Sequence, residues 1–429
     1  MIEALKLTFV RNRADVIGVS CLLALITAIF GLAIRLNILL FDYPFHIQLA
    51  RDMASSKTIL LPHFLYHLLT IGVHAPVSCK QFTVLGVPVT CSSESSFYLA
   101  AFAVTLFSYL SLGVVIYAFL CRESADRASP KAALAYVAIT LGLMLVSPIH
   151  VLTFASRNIY LGYVGINVYH NPTIILLKPL ALLLFWCASK AFSSSRNSSL
   201  LIAASATLTV SATLAKPNYT ICLLPALAIL SIYHIWNHKV FDWRLLILGI
   251  LIPALIVLGW QYDVTYNGPI VRYASSVVFA PFKVTGHYKI FPTRGYLGLF
   301  VGFGLSILFP VCVAGLYWKL VSHDTKLLLA WLAFLVGAFY SYFLAESGAR
   351  VFDGNFLWSG QITLFILFVA STWLLMRQTH PSRGSTWSLQ EGMGRLHFCG
   401  GVFGLHLISG LMWYVVSLLG NHGREWWGF

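Results

Sequence analysis

Titratable side chains are crowded into one short stretch of a chain that otherwise carries few of them. Only 10% of the 429 residues are charged, yet residues 42–70, DYPFHIQLARDMASSKTILLPHFLYHLLT, contain two aspartates, three histidines, an arginine and a lysine. A carboxylate that takes a proton from an attacking hydroxyl acts as a general base, and nearby cations can hold a phosphate. Asp42 is the candidate base. The alternative is that Asp42 only caps a helix that continues through Pro44.

The other polar residues of this stretch are candidate substrate contacts: His46, His63, Tyr66 and His67. His63 and His67 are four residues apart, which is a spacing of metal ligands on a helix, but no glutamate completes an H-E-x-x-H motif. We therefore place metal binding below contact with a phosphate or an acceptor, and below a plain role at the membrane interface. Asp52 is a second carboxylate, and its neighbour Arg51 favours an ion pair or a solvated position.

Polar residues also interrupt the later apolar runs. The stretch SRNIYLGYVGINVYHNPT at 156–173 ends in His170 and Asn171, beside Pro172. Asn171 is either the N-cap of the following helix or a substrate contact, and His170 could touch a sugar or a phosphate. Lys178 lies about two turns inside the next apolar run, where an ionisable residue is functional unless it snorkels to the interface. Both interpretations of Lys178 remain open.

A second polar connection, AESGARVFDGNFLWSGQ at 345–361, lies between two late apolar runs. The guanidinium of Arg350 can bind phosphate oxygens in a bidentate manner, which makes it a candidate phosphate clamp. The alternative is a charged turn in which Arg350 pairs with Glu346 or Asp353. We include Asp353 and Asn355 among the candidate substrate contacts.

The elements that must position these residues are membrane-spanning helices. Apolar runs long enough to cross roughly 30 Å of hydrocarbon recur along the chain. The mean hydropathy is +0.81 and 59% of the residues are hydrophobic. We predict an all-α polytopic membrane protein, a single transmembrane domain over residues 1–429, with about eleven spans: 14–39, 97–119, 132–150, 172–190, 199–215, 218–235, 244–262, 296–318, 326–345, 356–376 and 398–419.

Charge distribution predicts how the helices are oriented. With a cytoplasmic N-terminus the basic residues gather in one set of short loops, as the positive-inside rule requires. The net charge of +14 therefore indicates membrane orientation, and no nucleic-acid partner is predicted. We expect a multi-pass protein of a bacterial inner (plasma) membrane with its site on the extracytoplasmic face. The loops predicted on that face include residues 42–96, with two interfacial helices starting near Asp42 and Pro62, and residues 263–295.

Two of the eight cysteines differ from the rest. Most cysteines lie within apolar runs, as small buried hydrophobes do. Cys79 and Cys91 lie in the polar, span-free stretch PVSCKQFTVLGVPVTCSS. They are either a disulfide in an oxidising compartment or two free thiols.

The order of features along the first loop resembles a known superfamily. A first span ending in Asp42 is followed by an amphipathic helix with an A-x-x-M pattern, and then by PHFLYHLL from Pro62. This order resembles the GT-C superfamily of membrane glycosyltransferases, and most of all its protein O-mannosyltransferase and aminoarabinose-transferase branch. KPNY from Lys216 adds to the likeness, because family members often carry a lysine-bearing break at this hairpin. Tyr43 stands where many members have a second acidic residue, which disfavours a metal-assisted reaction.

The resemblance implies an inverting glycosyltransferase that uses a polyprenyl-phosphate sugar donor, with Asp42 as base and Lys216, Arg350 and His170 around the donor phosphate. The acceptor is expected to be a lipid-linked or small glycan, and no cofactor is predicted, with a divalent metal not favoured. The alternatives are a polysaccharide polymerase or ligase that uses polyprenyl-diphosphate glycans, and a transporter or flippase of a lipid-linked amphiphile. An enzyme requires these four residues around one cavity. A transporter requires polar groups along a path through the bilayer.

Overall fold

Long apolar runs become helices because a helix satisfies its own backbone hydrogen bonds where lipid offers none. The structure is a computed structural model that describes residues 13–77, 82–84, 87–89, 93–121, 129–151, 162–267, 275–287, 295–378 and 389–419. Its helices are α1 (Arg13–Asn37), α2 (Asp42–Ser56), α3 (Leu65–Val77), α4 (Ser93–Cys121), α5 (Pro130–Leu145), α6 (Pro172–Ala191), α7 (Ser199–Ala215), α8 (Asn218–Trp236), α9 (Trp243–Tyr266), α10 (Lys283–His287), α11 (Gly295–Leu316), α12 (Trp318–Val321), α13 (Thr325–Phe343), α14 (Leu357–Gln378) and α15 (Leu389–Leu418).

Among the described residues, nine helices are long and apolar enough to cross a membrane: α1, α4, α6, α8, α9, α11, α13, α14 and α15. The helix α9 contains a π-helical turn at Ile247–Leu251. Two shorter apolar helices, α5 with 16 residues and α7 with 17, lie where the remaining two spans were predicted. The multi-pass helical class is therefore confirmed, and the count of eleven spans remains a prediction.

Two short antiparallel strand pairs accompany the helices in the described part of the chain. Strand β1 (Phe82–Val84) pairs with β2 (Val87–Val89) inside the first long loop. Strand β3 (Val277–Phe279) pairs with β4 (Leu344–Glu346), which directly continues α13, in the register Val277 to Glu346. This second pair attaches the loop after α9 to the end of α13, so it helps to fix the backbone around Glu346.

One end of the bundle, which we call the site end, gathers the loops that carry most of the candidate residues. There the Asn171 side chain donates to Asp42, and the Asn218 side chain donates to the backbone oxygen of Asn355. These bonds join residues that are 129 and 137 positions apart in the chain. The start of α2 therefore lies beside the start of α6, and the start of α8 lies beside the loop that precedes α14.

The opposite end carries a different set of bonds. The side chain of Asp242 accepts hydrogen bonds from Asn197, and the guanidinium of Arg377 pairs with Asp324 at 3.2 Å. Cations there lie over tryptophan rings: the ammonium of Lys326 is 3.9 Å from the ring centroid of one. Alternate helices therefore run in opposite directions, as an up-and-down arrangement of spans requires.

The first loop forms the predicted pair of short helices at the site end. Helix α2 buries Tyr43, His46, Ile47, Ala50 and Met53 on one face, a spacing that keeps side chains on the same side of a helix. In α3 the buried residues are polar or aromatic, including Tyr66 and His67, whereas the two leucines that follow are 44% and 40% exposed. The polar side of α3 therefore faces the protein. This orientation suits a helix whose outer side faces lipid. The apolar side chains have no free-energy cost against lipid, and the polar side chains find hydrogen-bond partners inside the protein.

The described residues between α5 and α6, 146–151 and 162–171, are irregular although they lie among helices, so their backbone polar groups need side-chain partners. The side chain of Asn167 donates to the carbonyl oxygens of Leu143 and Val146, at 3.1 and 2.8 Å. Helix α15 supplies further partners: the hydroxyl of Ser409 donates to the carbonyl oxygen of Pro148 at 2.6 Å, and the Trp413 indole donates to the Asn167 carbonyl oxygen. These bonds hold the segment that leads into Asn171.

Candidate functional site

A cavity of about 600 Å³ opens at the site end. Its wall contains the polar or charged residues His63, Lys216, Asn218, Gln261, Thr265, Glu346, Arg350 and Asn355. Apolar and aromatic side chains complete it, among them Leu60, Ile221, Leu258, Tyr262 and Phe356. A mostly apolar wall with a few convergent polar groups is typical of a small-molecule site, and the volume lies within the range of roughly 300–1,000 Å³ found for such sites.

Lys216 is placed in this wall by the break between α7 and α8. The residue before a proline is restricted to extended backbone, so α7 ends at Ala215 and Pro217 begins the turn into α8. Lys216 is buried, its ammonium donates a hydrogen bond to the Thr173 hydroxyl at 3.2 Å, and it lies 4.8 Å from the centroid of the Trp358 ring. Burial lowers the pKa of Lys216 from its ordinary 10.5 to about 8, and the charge of Asp42 opposes that fall.

Asp42 is the first residue of α2, and its carboxylate does not cap that helix. The N-cap is Phe41, with no side-chain cap bond, so the capping interpretation is wrong. Phe41 has φ of 58° and ψ of −131°, a conformation that is strained for a non-glycine residue and is often found at functional sites. The Asp42 carboxylate instead accepts a hydrogen bond from Asn171 at 2.7 Å. Asp42 is not among the residues of the cavity wall, although its charge acts on Lys216. Of the four residues that an enzyme was expected to place around one cavity, Lys216 and Arg350 line it, whereas Asp42 and His170 do not.

Asn171 is the N-cap of α6, as one of the two sequence-based alternatives predicted, and its contact with a substrate stays a prediction. Its Oδ1 accepts the backbone N–H of Ile174 at 3.2 Å, which makes it the N-cap of α6, and it also accepts the Thr173 hydroxyl at 2.7 Å. Its Nδ2 is then free to donate to Asp42. Lys216, Thr173, Asn171 and Asp42 therefore form one continuous series of hydrogen bonds.

His170 lies beside this series and outside the cavity wall. Its ring centroid is 5.8 Å from that of Phe41 and 6.0 Å from that of Trp358. Trp358 is the ring that Lys216 contacts. His170 therefore packs between the aromatic residue before the candidate base and the aromatic residue beside the candidate phosphate-binding lysine. A direct contact of His170 with the donor phosphate stays a prediction.

Arg350 lines the cavity and is held by two carboxylates. Its guanidinium pairs with Glu346 at 3.1 Å and with Asp353 at 3.3 Å, so the charged-turn alternative is confirmed. Glu346 is buried, whereas Arg350 is 33% exposed at its side chain. The carboxylate of Glu346 also accepts hydrogen bonds from Tyr266 at 3.1 Å and from Asn355 at 2.6 Å. Pairing and a cavity-facing position are compatible, because a guanidinium has five N–H donors.

The histidines of the first loop do not share a helix face. His63 precedes α3, which begins at Leu65, so the predicted start near Pro62 is wrong and so is the helical i, i+4 geometry of His63 and His67. The Nε2 atom of His67 lies 3.1 Å from the Nδ1 atom of His46, and both side chains are buried. His63 lines the cavity alone of the three. In the described residues no group of three histidine, cysteine or acidic side chains could hold a metal ion.

Electrostatics mark the cavity as favourable to an anion. Burial, followed by the charge of Lys216, lowers the pKa of His63 to about 3, and Arg350 adds to that effect. His63 is therefore neutral at pH 7, while Lys216 beside it stays largely charged. Burial also lowers the pKa of His67 to about 4 and that of His46 well below its usual range. An anion in the cavity would stabilise the charged form of Lys216, whereas Arg350 already pairs with Glu346 and Asp353.

The remaining candidates are Tyr66 and the two loop cysteines. Tyr66 is buried in α3, where its hydroxyl lies within hydrogen-bond distance of the Ala101 carbonyl oxygen and the Thr105 hydroxyl, at 3.4 and 3.3 Å. It therefore packs α3 against α4 and does not line the cavity. Cys79 and Cys91 lie outside the described residues.

Comparison with protein-family models, with curated proteins and with solved structures finds no match to this chain. The resemblance to the GT-C superfamily therefore rests on the residues quoted above, and the function has to be argued from the site.

Several residues of the site were not among the sequence-based candidates. Asn218 links the start of α8 to α14. Its side chain donates one hydrogen bond to the carbonyl oxygen of Asn355 and another, at 2.9 Å, to the Ser359 hydroxyl. Gln261 donates to the carbonyl oxygen of Pro62 at 2.8 Å and so fixes the segment that carries His63. Glutamine in an apolar run is a signal in the sequence, since lipid penalises it. Trp358 and Thr173 give no such signal.

Proposed function

We propose that the chain is an integral-membrane glycosyltransferase that moves a sugar from a polyprenyl-phosphate donor to an acceptor, with Asp42 as general base. The observation that carries the proposal is the convergence of Lys216 and Arg350 on one cavity, with the Asp42 carboxylate joined to Lys216 through Thr173 and Asn171. Cations that hold a phosphate beside a carboxylate that can take a proton are the two requirements of this transfer.

The donor phosphate would lie against Lys216 and Arg350, and the isoprenoid would lie against the apolar part of the wall, where Ile221 and Leu258 are found. Lys216 would act as a point charge, and Arg350 would offer the N–H groups that its carboxylate partners leave free. His63 lies in the same wall. It would accept a proton more readily once an anion is bound, because the anion stabilises its charged form.

In the reaction the acceptor hydroxyl oxygen forms a bond to the anomeric carbon as the bond from that carbon to the phosphate oxygen breaks. The electron pair of the broken bond leaves with the polyprenyl phosphate, whose added charge the two cations stabilise. Asp42 takes the proton of the acceptor hydroxyl. A single displacement inverts the configuration at the anomeric carbon, so an α-linked donor gives a β-linked product and the reverse.

The membrane environment follows from the nine long apolar helices in the described part of the chain. The bacterial inner membrane, the cytoplasmic N-terminus and the extracytoplasmic site belong to the proposal. The cavity lies at the same end as the loop of residues 42–77, which supports a donor entering from the bilayer and an acceptor arriving from the adjacent aqueous side.

The test is sugar transfer by purified protein in lipid nanodiscs, with a panel of synthetic polyprenyl phosphosugars and diphosphate-linked glycans. We expect Asp42→Asn to reduce transfer by roughly 10²–10⁴-fold, the usual contribution of a general base. Asp52→Asn is the matched control on the same helix, because the Asp52 carboxylate accepts from Gln48 at the helix surface. Equal activity of wild type and Asp42→Asn would remove Asp42 from the mechanism. Transfer only from diphosphate donors would favour the polymerase or ligase alternative, and no transfer would favour a transporter.

A further inference from the structure

Three consecutive hydrogen bonds join the candidate phosphate-binding lysine to the candidate base. The Lys216 ammonium donates to the Thr173 hydroxyl at 3.2 Å, that hydroxyl donates to Asn171 Oδ1 at 2.7 Å, and Asn171 Nδ2 donates to Asp42 at 2.7 Å. Lys216, Thr173 and Asn171 are all buried. Bonds shielded from water are electrostatically stronger, and consecutive bonds polarise one another.

The donor and acceptor roles in this series are fixed by the chemistry of its members. An ammonium can only donate, so Thr173 accepts from Lys216 and uses its own proton toward Asn171. The orientation of the Asn171 amide is fixed as well, because its Oδ1 also accepts the backbone N–H of Ile174. Its Nδ2 must then point at Asp42, whose carboxyl oxygen accepts the hydrogen bond. All donors therefore point from the lysine toward the aspartate.

We propose that Asn171 and Thr173 are positioning residues that couple the Asp42 carboxylate to the Lys216 ammonium, so that the base and the phosphate site act as one unit. The names base and phosphate site rest on the proposed function, but the coupling itself does not. An anion that draws Lys216 toward the cavity changes the bond to Thr173, and the change passes through the Asn171 amide to the orientation of Asp42. Neither positioning residue needs to touch the substrate for this effect.

The kinetic test uses a substitution that preserves the helix cap. Asn171→Ser keeps a side chain that can accept from Ile174, since serine and asparagine are equally good N-caps, but it removes the amide that donates to Asp42. We expect kcat for sugar transfer to fall about 10–100-fold while KM for the donor changes less than threefold, the pattern of a lost interaction in the transition state. An increase in KM with unchanged kcat would overturn the positioning role.

A second pair of variants tests Thr173, the other positioning residue. Thr173→Val removes the hydroxyl at nearly constant shape, and Thr173→Ser restores it. We expect the valine variant to lose kcat as Asn171→Ser does and the serine variant to recover most of it. Thr207→Val is the control, because the exposed Thr207 donates only to the Ala203 carbonyl oxygen of its own helix. Equal kcat in the two Thr173 variants would exclude the hydroxyl from the coupling.

A measurement without substrate separates this inference from the proposed function. The melting temperatures of Asp42→Asn, Lys216→Met and the double variant form a double-mutant cycle. The cycle is measured once with Thr173 present and once in protein that also carries Thr173→Val. We expect the single effects to be non-additive by about 2 °C in wild type and by clearly less in the Thr173→Val background, where only the direct interaction of the two charges remains. Equal non-additivity in both backgrounds would mean that the charges interact through space, and additivity in both would mean no coupling. Either result overturns the inference even if sugar transfer is found.

Discussion

Raising the pH should release the donor from Lys216. The buried ammonium has a pKa of about 8 in the free protein, against an ordinary value of 10.5, and a phosphate beside it stabilises the charged form. Below pH 8 the lysine is charged with or without the donor, so affinity is constant. Above pH 8 the free protein loses the proton that the complex retains, and affinity falls by up to tenfold for each pH increment of one.

The size of the fall follows from the two pKa values. If the pKa of Lys216 returns to 10.5 in the complex, the affinity lost over the whole titration is about 300-fold, or about 3 kcal/mol, and a loss of roughly 80-fold is reached at pH 10. The assay is equilibrium binding of a polyprenyl phosphosugar to protein in nanodiscs from pH 6.5 to 10. The phosphodiester of this ligand keeps a single negative charge over that range. A change of affinity with pH therefore reports a change of protonation in the protein and not in the ligand.

Two variants decide whether Lys216 is the source of the pH dependence of donor affinity. Lys216→Met should bind weakly at every pH and show no decline of its own above pH 8. Lys283→Met is the control, because Lys283 is exposed on α10 and does not line the cavity, and it should titrate as wild type does. The reasoning is refuted if wild-type affinity is constant up to pH 10, or if Lys216→Met declines as steeply as wild type.

Three further outcomes are expected. Gly410→Ala should lower the melting temperature, because its Cβ would overlap a backbone oxygen at the end of α5 at a cost of about 1–3 kcal/mol, whereas Gly404→Ala, with open space around it, should not. Acid should destabilise the fold, because the buried pair His46 and His67 have folded pKa values below 6.5. As the pH falls, the unfolded chain therefore binds protons before the folded chain does. The melting temperature should fall between about pH 6.5 and 4, and it should fall less in His67→Gln. Arg350→Lys should weaken donor binding about tenfold in the same equilibrium assay, because it keeps the charge and loses the planar donors. A rising melting temperature in acid, or unchanged donor affinity in the lysine variant, would contradict these expectations.

The sequence predicted the elements that a membrane imposes and the cations that lipid would penalise. Every predicted span corresponds to a helix of the structure, because a long apolar run has no other stable form in lipid. The lysine before Pro217 was identified from the lysine-bearing break that the resemblance implies, and the extended backbone required before a proline accounts for the break. Arg350 was identified together with both of its carboxylate partners, because they lie within four residues of it in the chain.

The partners that complete the site were not predictable, because they are distant in sequence and ordinary in type. Thr173 is 43 residues from Lys216, and Gln261 is 199 residues from Pro62. A threonine at the start of a helix has many possible partners, and only the packing of α6 against α7 and α8 selects one. The orientation of α3 was not predictable either. The periodicity of its sequence indicates an apolar and a polar face but does not say which of the two faces the protein buries. That choice depends on the polar partners that the other helices offer.

The hydrogen bonds of one buried lysine bear on the choice between an enzyme and a transporter. Lys178 lies inside α6 and does not snorkel: its ammonium donates to the Ile166 carbonyl oxygen and to the Asn167 side chain, and lies 4.7 Å from the ring centroid of Phe365. In the part of the chain that the structure describes, no carboxylate pairs with Lys178. Asn167 in turn binds the backbone after α5. Lys178 and Asn167 thus hold irregular backbone, whereas Lys216 and Arg350 at the site end line a cavity. A path through the bilayer would require the reverse, with polar groups left open to a passing substrate at depth.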